Sequence, residues 1–166
     1  PTGRWLVHDD KRGRLWLTDL EKGGTKLLDQ SPVAADRAYG SIVWSADGKL
    51  LALARADSRR LLNQIVLVDI ASGRKATLSS DRYESFDPAF SRDGRWLYFL
   101  SNRSFQGVPG GPWGDRNTGP FYDRRTKVYA IALAAGQRFP FLPADELAPK
   151  AADDAKAGAE VRIEWE

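Results

Sequence analysis

Cysteine and methionine are both absent from the 166 residues, and histidine occurs once. Without cysteine there is no disulfide, no thiolate metal site and no cysteine nucleophile, and the redox compartment stays open. No apolar run approaches the ~20 residues that a membrane helix needs. No Lys/Arg block stands out either. The 25 basic and 22 acidic residues are interspersed, so the net charge of +3 favours anionic partners only weakly and does not argue for nucleic acid. A signal-peptide pattern is also missing. The chain starts at Pro1, which gives the expectation of a piece of a longer polypeptide or a processed product. What remains is 42% hydrophobic and 28% charged, the balance of one ordinary globular domain rather than a disordered chain.

The sequence then repeats itself. Trp44-Ser45-Ala46-Asp47-Gly48-Lys49 matches Phe90-Ser91-Arg92-Asp93-Gly94-Arg95, and each runs into an apolar stretch, Leu50 to Ala54 and Trp96 to Leu100. The pattern reads as a β-hairpin. An aromatic closes one strand, Asp-Gly makes the turn because glycine accepts positive φ, and a basic residue opens the next strand. A shortened copy stands at the start, where Gly3-Arg4-Trp5-Leu6-Val7 aligns with Gly94-Arg95-Trp96-Leu97-Tyr98. Behind each copy comes a further strand and turn: Leu15 to Leu20 before Gly23, Gln64 to Ile70 before Gly73, and Lys127 to Leu133 before Gly136. Thr25 to Leu28 and Lys75 to Leu78 read as outer strands.

Four short strands every ~40–50 residues are the signature of a β-propeller blade. A β-sandwich does not repeat one turn sequence at a fixed period, and a solenoid has a shorter one. The expectation is therefore an all-β fold of about three four-stranded blades in an incomplete ring, the first blade lacking its innermost strand. Blades are expected over about 1–40, 41–86 and 87–142. A ring needs typically 4–8 blades, so further blades lie in other sequence or copies of the chain assemble as a homo-oligomer that completes the ring.

Between Leu100 and Lys127 the third blade carries an insertion, 103–126. Its many Gly and Pro residues speak against regular structure. Long loops in compact domains are usually functional or disordered. As a binding loop, it offers Arg103, Trp113, Arg116, Tyr122, Arg124 and Arg125 for peptide contact, with aromatics giving area and arginines receiving carboxylates. Alternatively, the aromatics pin the loop onto a blade. Residues 143–160 are Ala-rich and charged, as in a solvated linker. The segment 161–166 alternates like a strand that returns to the sheet or starts the next module.

Candidates for catalysis are few. His8, next to Asp9 and Asp10, is the one imidazole that could serve as a general base, and it reads more simply as a strand-end surface residue. Asp9-Asp10 and Asp153-Asp154 are carboxylate pairs, but neighbours in a strand point to opposite faces and the second pair lies in the linker. Trp5, Trp44 and Trp96 occupy hairpin positions that suit packing between blades. Asp47 and Asp93 are expected to accept backbone hydrogen bonds in their turns. No catalytic residue, metal site or cofactor is assigned.

The stretch from Trp44 to Phe141 resembles the second propeller of tricorn-type serine peptidases, on DPAFSRDGRWLYFLSNRSF, the long insertion, KVYAIAL and the RFPF element at Arg138 to Phe141. The closing VRIEWE resembles a segment that follows in that family. The resemblance implies a non-catalytic propeller segment that gates and steers peptides toward a catalytic core elsewhere in a larger polypeptide. Its implied partners are peptides and the remaining domains of that peptidase, without nucleic acid or membrane, in a soluble protein of the cytoplasm or periplasm. Two other readings compete: an independent propeller that holds a protein partner, and the propeller of a prolyl oligopeptidase-type enzyme, which requires an α/β-hydrolase domain with G-x-S-x-G.

Overall fold

The computed structural model describes residues 2–33, 38–104, 125–134 and 136–143. Within them ten strands form three antiparallel sheets, each a meander in which neighbours in sequence are neighbours in the sheet. Blade 1 holds β1 (Trp5–Asp9), β2 (Arg14–Asp19) and β3 (Thr25–Gln30). Blade 2 holds β4 (Tyr39–Trp44), β5 (Leu50–Ala56), β6 (Asn63–Asp69) and β7 (Lys75–Thr77). Blade 3 holds β8 (Ser85–Phe90), β9 (Trp96–Ser101) and β10 (Lys127–Ala132). β1 is the counterpart of β5, so blade 1 begins without a counterpart of β4. Among the described residues there is no helix, and hence none long and apolar enough to cross a membrane.

The repeated hairpin has the same construction twice. Ser45 N donates to Leu50 O and Ser91 N to Trp96 O, while Gly48 N and Gly94 N donate back to Ser45 O and Ser91 O. Each serine Oγ also accepts from the amide that opens the next strand, at 2.9 Å in both turns. Asp47 and Asp93 each accept a hydrogen bond from the backbone N–H two residues on, both at 3.1 Å. The turn needs a left-handed residue, and Gly48 and Gly94 supply it with φ of 70° and 72°.

Leu50 to Ala54 contains no polar residue because β5 is covered on both faces. Leu51 and Leu53 meet Leu15, Leu17 and Leu28 of blade 1, with Val66 and Val68 beside them. Leu50, Ala52 and Ala54 meet Leu97 and Phe99 of blade 3, with Leu67 beside them. The two layers thus weld three small sheets into one arc. Each fully buried Leu contributes about 2 kcal/mol of transfer free energy.

Among the described residues blade 3 has three strands. Where blade 2 returns as β7, the segment after Gly136 does not pair with β10. Instead Phe139 sets its ring edge-on to Trp96 at 5.7 Å and Phe141 lies 6.3 Å from Tyr98. Pro140 has no N–H to give a ladder, and the aromatic contacts replace it. Trp5 and Trp44 do pack between blades 1 and 2, whereas Trp96 turns to the face of blade 3 opposite blade 2.

Candidate functional site

The antiparallel meander sends equivalent connections to the same end of the arc. The β1–β2 and β5–β6 turns, the two blade-to-blade connections and the long β9–β10 insertion all leave from one end. Hydrogen bonds tie these connections together. Gln30 Nε2 donates to Arg12 O at 3.1 Å, Tyr39 Oη donates to Gly13 O at 3.3 Å, and Asn102 N donates to Glu84 O at 3.1 Å. In the β1–β2 turn, Asp10 accepts from the backbone of Arg12 and Arg14, from Arg14 Nε at 2.7 Å and from Trp16 Nε1 at 3.0 Å. The Arg14 and Trp16 bonds hold its carboxyl well below the usual range. Asp10 is therefore committed to its turn, and His8 stands apart on the exposed face of β1.

Between blades 1 and 2 lies a buried carboxylate that sequence reading passed over. Asp29 of β3 is 4% exposed. Its oxygens accept from Arg55 Nη1 at 3.0 and 3.1 Å, Lys75 Nζ at 2.6 Å and Tyr39 Oη at 2.9 Å. Burial pushes this carboxyl up. The Lys75 hydrogen bond, the Arg55 charge and the Tyr39 hydroxyl outweigh it, and the pKa lies below the ordinary value. Burial, with the Asp29 charge beside it, pushes the Tyr39 phenol up. The four side chains come from β3, β4, β5 and β7, so the cluster clasps blade 1 to blade 2. Nothing local in the sequence marks it, since Asp29 and Lys75 are 46 positions apart.

A cleft of about 400 Å³ opens between blades 2 and 3 at the same end. Tyr39, Gly40, Ala56, Leu61, Asn63 and Glu84 line it. Glu84 accepts from Asn63 N at 2.9 Å and from Asn63 Nδ2 at 2.7 Å, which joins the blade 3 approach to the start of β6. Beside the cleft run β4 and β8, both irregular at equivalent places, between Tyr39 and Ile42 and between Phe86 and Ala89. There Ser41 Oγ donates to Asp87 Oδ1, and Asp87 holds a φ of 48°. The two innermost strands therefore meet through polar groups.

Of the residues the sequence nominated for peptide contact, Trp113, Arg116, Tyr122 and Arg124 lie outside the described residues, as do the linker from 144 onward and the closing 161–166 segment. Arg103 turns back onto blade 3. Its guanidinium stacks 4.3 Å from the Tyr129 ring, with Phe99 and Tyr83 at 5.5 and 5.9 Å, and its Nε donates to Ser101 Oγ at 3.1 Å. Arg125 is exposed, and its carbonyl accepts from Ser104 N at 3.2 Å, so both stems of the insertion leave the blade side by side. Among the described residues no three His, Asp or Glu converge as a metal-ligand set.

No protein-family model matches the chain. Tricorn protease homolog 1 of Streptomyces coelicolor is 28% identical over 152 residues, 86% of this chain and 13% of that protein. Tricorn protease of Thermoplasma volcanium is 29% identical over 141 residues, 81% of this chain and 13% of its own length. The crystal structure of the tricorn protease superposes with a TM-score of 0.72 over 98% of this chain, at 18% identity. The chain is similar to a β-propeller segment of tricorn proteases. It spans 13% of the two curated relatives and 15% of the crystallised chain. In this tricorn-like segment, then, three blades stack through two apolar layers and one buried ion cluster, with cleft and insertion stems at a common end.

Proposed function

We propose that this segment belongs to a larger serine peptidase, and that it gates and steers peptides toward a catalytic core located elsewhere in the polypeptide. One observation carries the reading: the arc gathers its inner strands at the Ser41–Asp87 contact while the insertion stems rise from one end beside them. Rigid blades exclude folded chains from the space they border. The arginines of the insertion draw peptide carboxylates across a Debye length of ~8 Å at physiological salt. Removing such a charge weakens encounter rather than chemistry.

The test is kinetic. In the full-length peptidase, Arg116→Ala, Arg124→Ala and Arg125→Ala together raise KM for acidic peptides and leave kcat and the KM for neutral peptides unchanged. Unchanged KM for acidic peptides would discard the steering role.

A further inference from the structure

β10 carries an open edge where its counterpart in blade 2 is covered. β6 and β10 each pair antiparallel with the strand that the repeated hairpin opens. β6 then receives β7 on its other side, whereas β10 is the last strand of its sheet among the described residues. The chain after Gly136 does not fill that place, because Phe139 and Phe141 lie over Trp96 and Tyr98 of β9. Open edges are ordinarily blunted by charge or proline. Here the one charge is Lys127 at the start of the strand, and Val-Tyr-Ala-Ile-Ala follows. The two faces of β10 also differ. Tyr129 and Ile131 pack into the layer shared with blade 2, so Val128 and Ala130 point the other way. On that side Val128 is 68%, Phe141 74% and Leu142 54% exposed.

The sequence holds a further stretch that suits this edge. Residues 161–166 read Val-Arg-Ile-Glu-Trp-Glu, with apolar and charged residues in strict alternation. Their number matches the 6 residues of β10. They lie outside the described residues, as does the stretch 144–160 that joins them to Pro143. At up to ~3.5 Å per residue that stretch reaches roughly 60 Å, well beyond the ~20 Å length of a six-residue strand. The chain is therefore long enough to return to β10 in the antiparallel sense.

We propose that residues 161–166 add to β10 as the fourth strand of blade 3, antiparallel, with Val161 opposite Ala132 and Glu166 opposite Lys127. Two observations select this register. It sets Val161, Ile163 and Trp165 on the face of Val128 and Ala130, so that Trp165 covers the exposed Val128. It also brings Glu166 to Lys127, which is exposed and has no ion-pair partner among the described residues. A slip of one residue turns the three apolar side chains to the wrong face, and a slip of two moves Glu166 off Lys127. The pairing is independent of the peptide reading above.

The chain contains no cysteine, so an engineered pair reports the contact. Val128→Cys with Trp165→Cys is expected to close an intramolecular disulfide under mild oxidation. It should form roughly tenfold faster than Val128→Cys with Ile163→Cys or with Glu164→Cys, because only directly opposed strand residues hold their Cβ atoms ~4–5.5 Å apart. Non-reducing gels distinguish it from a cross-linked dimer. Ending the chain at Glu160 is expected to speed hydrogen exchange at the β10 amides roughly tenfold while β5 keeps its protection, and to lower Tm by roughly 5 °C. Equal disulfide rates in the three pairs, or β10 exchange unmoved by the truncation, would overturn the pairing. A disulfide formed only between two chains would overturn it too, and would give the edge to a second copy.

Discussion

At the scale of single residues, Asp29 shows how much one buried charge decides. Its carboxylate is shared by Arg55, Lys75 and Tyr39, and losing it strands two cations and a phenol against an apolar layer. Asp29→Asn is expected to cost about 3 kcal/mol at neutral pH, the lower end for breaking a buried pair, because Arg55 and Lys75 are partly exposed and regain some water. The folded pKa lies below the ordinary 3.8. The stabilisation is thus fully present above that value and is lost as pH falls through the depressed one. Denaturant melts of both proteins from pH 7 to pH 2 check this, and the gap between them closes only at the acid end. A gap that ignores pH would remove the ion cluster from the account. In the sequence Asp29 is one carboxylate among 22, and only folding brings its three partners to it.

At the scale of elements, the repeated hairpin was legible from its residues because its causes are local. An aromatic, a serine, Asp-Gly and a basic residue fix a turn through contacts no more than five positions apart. Gly48→Ala and Gly94→Ala are each expected to cost about 1 kcal/mol. The two losses should agree within error, since the two glycines hold φ within a few degrees of each other. Thermal melts of the single variants measure this. Unequal losses would mean that the surroundings of the two turns, rather than their shared geometry, set the cost. The course of residues 136–143 after β10 was not legible in the same way. Gly136 and the residues after it resemble the Gly73 turn that precedes β7. Yet Phe139 and Phe141 find Trp96 and Tyr98, and the segment leaves the sheet.

At the scale of the whole molecule, the arc ends in unsatisfied surfaces. β1 has no partner on its inner edge, the one away from β2, among the described residues. Leu6 and Leu27 on blade 1, and Val128, Phe141 and Leu142 on blade 3, are each about half exposed or more. Open edges and apolar faces favour pairing with further chain. The isolated chain is expected to self-associate, and light scattering coupled to size exclusion would report a species near twice 18.5 kDa. A strictly monomeric chain would show that these surfaces need no cover. The sequence by itself determined the blade: a period of 46 positions, β-rich runs and a turn whose chemistry is local. Those features survive reading because turn and strand preferences act between near neighbours. Tertiary structure alone decided the Asp29 cluster, the cleft beneath Leu61 and the inward turn of Arg103, because each joins residues from different strands or connections. Such meetings depend on how blades stack, and stacking is set by buried area summed over whole faces.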